Sequence, residues 1–422
     1  MTITPTTTQR IRRRLSTVLW VLQWALGVSL VAAGVTKLAL PFADAVQMFP
    51  WATDVPTLFT VTSVLDVLGG IGVIVPALTR IFPWLTVVAA GGVVLLMLSA
   101  VAFYLTRDEA SEIAPNVVLA LIAAVIAVGR ARLAPITAQL AEVPLFDGDL
   151  PPASPPATMA LFQLPTGTYS TRSAFAVSGG AINGHREFAS TAVLVRHPKG
   201  DLLIDAGFGA NASEHIRLLP SFRRAPHTVT MTASDQLDAA NYDRSQLLGV
   251  LLTHSHWDHV SGLDSLEVPV LMTADESAYV AQSKGDPVFA EVAKDHAIRE
   301  YRFDGGGYLG FEASRDFYGD GSVVVVPASG HTTGSVIVFV TLPSAQRFAF
   351  IGDLTWQLDG VTERREKPLL MRMLADSNAR RVRDDLRRVI AIADRVQVVP
   401  AHDERGYSGI PLLPTSAAKV SA

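Results

Sequence analysis

The chain has 422 residues, 49% of them hydrophobic and only 18% charged, and its formal net charge is -4. That length admits two or three domains, the apolar excess is too large for an ordinary soluble protein, and the acidic balance argues against a nucleic-acid partner. There is no cysteine, so disulfides and Cys-ligated structural zinc are excluded, and any metal must be held by His, Asp or Glu.

In chain order, residues 1–15 are a basic N-terminus carrying Arg10, Arg12, Arg13 and Arg14. Four apolar runs follow within residues 16–132: Thr17 to Lys37, Phe59 to Leu78, Trp84 to Leu105, and a shorter one from Asn116 to Val128. A helix needs about 20 apolar residues to cross a bilayer, so the fourth run spans only if its helix starts inside the preceding loop. Arg80 separates the second and third runs, and Arg130 and Arg132 follow the fourth. The other two loops carry Asp44 and Asp54, then Asp108, Glu109 and Glu112. Basic residues stay on the cytoplasmic side, so the pattern predicts a multi-pass protein of the cell (inner) membrane with both ends of the bundle in the cytoplasm.

Asp66 lies about seven positions into the second run, where a carboxylate must find a partner. Lys37, at the outer end of the first run, has a similar depth, and Arg107 is a second candidate. Such a pair is either a proton or ligand site or an ion pair tying helices together. Gly27, Gly34, Gly69, Gly70 and Gly72 allow close helix approach.

Residues 133–158 change character. The run Pro151-Pro-Ala-Ser-Pro-Pro156 is extended and semi-rigid, a spacer between the membrane part and a soluble domain over 159–412. Part of it can equally lie on that domain as an ordered arm. Residues 413–422 form a tail.

Within 159–412, strand signals appear at Thr191–Val195, Leu202–Ile204, Leu247–Leu252, Val323–Val326, Val336–Val340, Phe348–Ile351 and Val396–Val399. Asn378 to Ala393 reads as a helix, with Val382, Leu386, Val389, Ile390 and Ala393 on one face and arginines on the other. Strands mixed with helices predict layered α/β packing. His254, His331, Asp353 and His402 each follow a strand, which brings them to one rim. The stretch His254-Ser-His-Trp-Asp-His259 concentrates three of the ten histidines in six positions. His254 and His256 can point one way from an extended loop, and Asp258 and His259 the other, so one loop can serve two metals. His185, His197, His215, His227 and His296 sit in polar or turn contexts and are expected to be solvated.

Two resemblances follow from these motifs. Gly34-Val-Thr-Lys37, Asp66-Val-Leu-Gly-Gly70 and the Asn116-to-Arg130 ending resemble the DoxX-like family of small four-helix membrane proteins, some of whose members are associated with sulfur or redox metabolism. His254-Ser-His-Trp-Asp-His259 matches the HxHxDH signature of the metallo-β-lactamase fold. Asp205, His331 in Gly-His-Thr-Thr-Gly, Asp353 in Gly-Asp and His402 in Ala-His-Asp follow in that family's order. The resemblance implies an N-terminal α-helical transmembrane bundle joined to a C-terminal α/β domain of four αββα layers.

It also implies roles. His254, His256 and His331 hold one metal, Asp258, His259 and His402 a second, and Asp353 bridges them. Two zinc ions suit this donor set, and a metal-bound hydroxide is then the nucleophile, with Asp258 and Asp353 the catalytic carboxylates. Asp205 orients the histidine loop rather than binding metal. The ending Pro400-Ala-His-Asp403 resembles the lactonase branch, where a tyrosine typically stands three residues after the bridging aspartate. Here that residue is Trp356, which puts quorum-signal lactonase activity in doubt and leaves an ester, lactone or thioester as the expected substrate. Trp257 and Trp356 either wall an apolar pocket or pack in the core. The expected partners are a small, apolar substrate and the lipid bilayer, with the site in the cytoplasm at the membrane face. One rival is a mononuclear iron (Fe2+) oxygenase of the persulfide dioxygenase type. Another is a non-enzymatic membrane sensor or scaffold.

Overall fold

The computed structural model describes residues 7–80, 82–136, 139–181, 183–282 and 286–415, with side chains from Arg14 onward except Phe222. The side chains of Arg10, Arg12 and Arg13 and most of the 413–422 tail lie outside the described residues. The chain divides into two compact units, Met1–Ala138 and Gln139–Ala422.

The first unit is helical: α1 (Thr7–Ala39), α2 (Phe42–Met48), α3 (Pro56–Thr79), α4 (Trp84–Thr106) and α5 (Ala114–Val128). Among the described residues four stretches are long and apolar enough to cross a membrane, Arg14–Ala39, Pro56–Thr79, Trp84–Thr106 and Ala110–Leu133. The fourth exceeds the expected Asn116–Val128 because a short helical turn precedes α5 and a π-helical turn, Gly129–Leu133, continues it. A Cβ on Gly34 would stand 2.5 Å from the Ser63 carbonyl oxygen, and one on Gly70 would stand 2.5 Å from that of Gly27. Only glycine allows α1 and α3 this approach, and it brings Lys37 Nζ to 2.9 Å from Asp66 Oδ2. Arg107 pairs instead with Asp54 at 2.7 Å and Glu109 at 3.2 Å. Arg130 is not the free flanking cation the sequence suggests. It is buried, donates from Nε to Gln23 Oε1 at 2.6 Å, and lies 5.1 Å over the Trp20 ring.

The second unit holds two sheets. Seven strands, β1 (Ala160–Arg172), β2 (His185–Arg196), β3 (Asp201–Ile204), β4 (His227–Val229), β5 (Leu247–Leu251), β6 (Val270–Thr273) and β7 (Ile298–Tyr301), pair in the order β4-β1-β2-β3-β5-β6-β7. Five more, β8 (Arg315–Asp316), β9 (Val323–Pro327), β10 (Val336–Thr341), β11 (Arg347–Phe350) and β12 (Gln397–Val399), pair in the order β12-β11-β10-β9-β8. Side chains alternate across a strand. Val323, Val325, Val336, Val338 and Phe348 therefore join Val193, Leu202, Ile204 and Leu251 in a core between the sheets. Val324, Val326, Ile337 and Phe339 face the opposite way, onto Val382, Leu386 and Val389 of the helix Ala379–Ile392. Leu203, Val250 and Leu252 face helices on the far side of the larger sheet. The result is the four-layer αββα arrangement.

The helix Ala379–Ile392 is capped by Asn378, whose Oδ1 accepts the backbone N–H groups of Arg380 and Arg381. Its apolar face also carries buried Asp385, which sequence periodicity did not suggest. The proline-rich stretch is an ordered arm from Gln139 onward. Leu140 N–H donates to the Arg364 carbonyl at 2.6 Å and Phe146 N–H to that of Ala391 at 2.7 Å. Leu140, Val143, Phe146 and Leu150 lie on the outer apolar layer.

Candidate metal centre

Strands β3, β5 and β6 run parallel, and ligand sites in such sheets lie beyond the carboxyl ends of the strands. Asp205 follows β3, and His254 to His259 follow β5. In the facing sheet His331 lies between β9 and β10, Asp353 follows β11 and His402 follows β12. All seven expected metal ligands and Asp205 are buried at this rim.

Two groups of donors form there, one of His254, His256, His331 and Asp353, the other of Asp258, His259 and His402, each with donor atoms within 4.8 Å of one another. In the first, His256 Nδ1 is 2.8 Å from His331 Nε2 and 3.1 Å from His254 Nε2. Asp353 turns Oδ2 to this group, 3.3 Å from His331 Nε2. Its Oδ1 turns to the second, 2.9 Å from His402 Nε2 and 3.3 Å from His259 Nε2. Asp258 Oδ2 lies 3.3 Å from His402 Nε2.

The tautomers show what these groups are built for. His259 Nδ1 is 2.8 Å from Asp205 Oδ2, and His402 Nδ1 is 2.8 Å from the Ala189 carbonyl oxygen. Both partners only accept, so each Nδ1 carries a proton and each Nε2 is the atom left to face a metal. Those two Nε2 atoms nevertheless face one another at 3.3 Å, and beside them Asp353 Oδ1 is buried without a hydrogen-bond donor. Converging ring nitrogens and a buried carboxylate oxygen call for a cation among them, either a metal ion or the second proton that the raised His259 pKa describes. The donors present fit a bound metal.

The surroundings are charged to match. Burial opposes charging of His259, but the Asp205 and Asp353 carboxylates hold its pKa well above the usual histidine range. Burial and neighbouring histidines push His254 and His256 well below it. Burial works against the Asp353 charge, yet the ring of histidines, His402 foremost, keeps its pKa well below the ordinary carboxylate range.

Asp205 accepts Thr253 N–H at Oδ1, 2.7 Å away, and Thr253 Oγ1 at Oδ2, 2.8 Å away, besides the His259 ring. Trp356 packs on Phe188, ring centroids 5.7 Å apart, in a buried cluster against which Met371 and Ala375 also pack, while its Nε1 donates to Asp353 Oδ2 at 2.8 Å. Trp257 is not a pocket wall. It is stacked on Phe208 with centroids 5.2 Å apart in the core behind the larger sheet. Two of the histidines expected in solvent are buried. His197 stacks on Tyr318 and lies 3.0 Å from Asp320 Oδ2, and His215 bonds Ser261 through Nδ1 at 2.8 Å. Both lie far along the chain from their partners, so their local polar context gave no hint of burial. His185 is exposed, and His227 and His296 are half-buried.

Three partners of the site escaped sequence reading. Tyr169 on β1 donates to Asp258 Oδ2 at 2.8 Å, and burial followed by the Asp258 charge pushes its phenol pKa up, so it stays a donor. Glu276 accepts from Ser255 N and Oγ, Thr332 Oγ1 and Gly334 N, tying together the loops of His254 and His331. Its only sequence signal is Thr273-Ala-Asp-Glu276, which reads as a helix start. Asp376 accepts from His331 Nδ1 at 2.9 Å and from buried Lys367 at 2.5 Å.

Residues 185–402 match the model of the metallo-beta-lactamase superfamily. The chain belongs to that superfamily. Residues 21–126 match the DoxX-like family. The superfamily membership and the His/Asp site make the chain a metallo-hydrolase. It is 29% identical over 240 residues to a probable metallo-hydrolase of Mycobacterium tuberculosis, covering 51% of this chain and 74% of that protein. A probable metallo-hydrolase of Mycobacterium bovis matches with the same figures. Among solved structures it is similar to an N-acyl homoserine lactone hydrolase with the product N-hexanoyl-L-homoserine bound at its catalytic metal center. That likeness has 14% identity and a TM-score of 0.48 and covers 60% of this chain and 96% of that one.

Proposed function

We propose that this metallo-hydrolase is a membrane-anchored dinuclear zinc enzyme that hydrolyses an ester, lactone or thioester of apolar character. The observation that carries this reading is Asp353, one oxygen toward each of two donor groups. His254, His256 and His331 hold the first metal, Asp258, His259 and His402 the second, and Asp353 both. Zinc suits nitrogen and carboxylate donors without thiolates. When bound, such metals activate water near neutral pH and polarise the carbonyl.

The protein's own groups supply the rest. Asp205 fixes the His259 tautomer, Asp376 that of His331, and the Ala189 carbonyl that of His402, so each ring offers a lone pair in one direction. Trp356 donates to Asp353 and Tyr169 to Asp258, so each of the two catalytic carboxylates is held by an aromatic donor. Trp356 and Phe188 form a buried apolar cluster with Met371 packed against it, and in this reading that cluster backs an acyl chain.

The four apolar helices support anchoring, and the placement of Arg14, Arg80 and Arg132 against Asp44, Asp54 and Asp108 supports a cytoplasmic hydrolase unit. Lys37 and Asp66 serve in this reading as an ion pair tying α1 to α3. Detergent-solubilised protein assayed on lactones, thioesters, phosphodiesters and glutathione persulfide tests the proposal. Turnover of a long-chain lactone or thioester supports it, and turnover of the persulfide alone rejects it.

A further inference from the structure

The helix Leu369–Ala375 has two unlike faces. Met371 and Ala375 pack inward on the buried cluster of Ala176, Phe188 and Trp356. Leu370, Met373 and Leu374, at helical spacing on the opposite face, are 53%, 73% and 62% exposed. Phe175, beside Ala176 of the same inner cluster, is exposed as well. Isolated apolar side chains on a surface are ordinary, but a ridge of this kind marks an interaction site.

What borders the ridge identifies the partner. Glu366 accepts from Arg372 on this helix at 2.7 Å and from Arg383 on the helix Ala379–Ile392 at 2.7 Å, holding the two helices side by side. Arg380 and Arg387 lie about one turn either side of Arg383. Arg380 and the neighbouring Arg381 are exposed. An apolar ridge bordered by arginines is the pattern of an interfacial helix, with acyl tails taking the apolar face and anionic headgroups the basic one.

We infer that the helix Leu369–Ala375 docks the hydrolase unit onto the anionic surface of a lipid bilayer, so that an apolar substrate enters the metal centre from the membrane. The inference rests on the proposed reading of the site and adds the route of substrate entry. The helix is close to the chemistry, since Met371 packs against the buried cluster that holds Trp356, and Trp356 donates to Asp353. It is also fixed to a metal ligand: Asp376, which follows it, accepts from His331 Nδ1, and Ser377 N–H donates to the His331 carbonyl at 2.9 Å. Docking at the helix therefore bears on the His331 loop.

The native chain lacks cysteine, so single labels can be placed cleanly on the full-length protein in proteoliposomes. A polarity-sensitive fluorophore on Met373→Cys should emit to the blue and be quenched by lipids carrying a nitroxide on the acyl chain. The same label on Ser344→Cys, in an exposed turn, should do neither. Replacing Arg380→Glu and Arg381→Glu should weaken the Met373 signal in vesicles containing phosphatidylglycerol and leave it unchanged in purely zwitterionic ones. A Met373 label that stays in water in both vesicle types overturns the inference. So does label-to-label contact between copies, which assigns the ridge to a second chain. These readouts need no turnover. If docking is seen while every lactone and thioester fails, the proposed chemistry is wrong and the docking surface stands.

Discussion

Trp356 spends its only hydrogen-bond donor on Asp353 Oδ2, 2.8 Å away, at the position where the lactonase branch carries a tyrosine. A phenol can approach a substrate carbonyl and still accept a bond, whereas an indole N–H committed to a carboxylate holds that carboxylate in place. Trp356→Phe keeps the apolar wall and removes the donor. A hydrogen bond to a charged group is worth about 1.5–3 kcal/mol, so metal affinity should fall about tenfold to a hundredfold in chelator competition, with the fold intact by circular dichroism.

Asp205→Asn isolates the second metal group. Asp205 sits at φ 56°, a left-handed conformation that asparagine tolerates. Its two oxygens accept three donors, and an amide, with one oxygen, must turn its NH2 toward a donor. With two metals bound as proposed, the one at Asp258, His259 and His402 should bind about 10–100-fold more weakly, while the one at His254, His256 and His331 stays. Titration with a graded chelator separates the two.

Glu276→Gln tests the tie between the two metal-bearing loops. The buried carboxylate serves four donors, and the amide leaves at least one of them facing an NH2. A buried unsatisfied group costs about 1–3 kcal/mol, so the unfolding midpoint of the hydrolase unit should fall by several degrees. An unchanged midpoint would remove Glu276 from the framework.

Asp385 gives a pH signature. Burial, partly offset by Arg388, pushes its pKa up to about 6. A folded pKa above the unfolded one means that folding favours the protonated acid. The resulting penalty is absent below about pH 4, grows through about pH 6 and is complete at neutral pH. Asp385→Asn should therefore be more stable than the wild type at pH 7.5, by about 2–3 kcal/mol at most, and the gap should close as the pH falls toward 4. A gap that is constant with pH would contradict the raised pKa of Asp385.

The fold was legible where one periodicity ruled. Valine-rich β9 and β10 alternate between the two cores, and the apolar face of Ala379–Ile392 is a regular helical stripe broken only by Asp385. The convergence of the histidine loop with His331, Asp353 and His402 was legible because these strand-end residues form a motif in fixed order. What lay hidden was long-range. Tyr169 meets Asp258 across 89 positions of chain. His197 and His215 look solvated locally and are buried by partners 123 and 46 positions away. Arg130, which reads as a flanking cation, finds Gln23 at a separation of 107. Local pattern records secondary structure and exposure, whereas these contacts exist only once the elements are packed.

Metal content measured together with activity, on full-length wild type and Asp258→Ala, bears most directly on the dinuclear reading. The geometry leads us to expect about two zinc ions per wild-type chain, with turnover of a long-chain lactone or thioester. Asp258→Ala should lose the second ion and the activity while remaining in the membrane fraction. A single iron per chain, with oxygen consumed on glutathione persulfide, would rule out the dinuclear hydrolase.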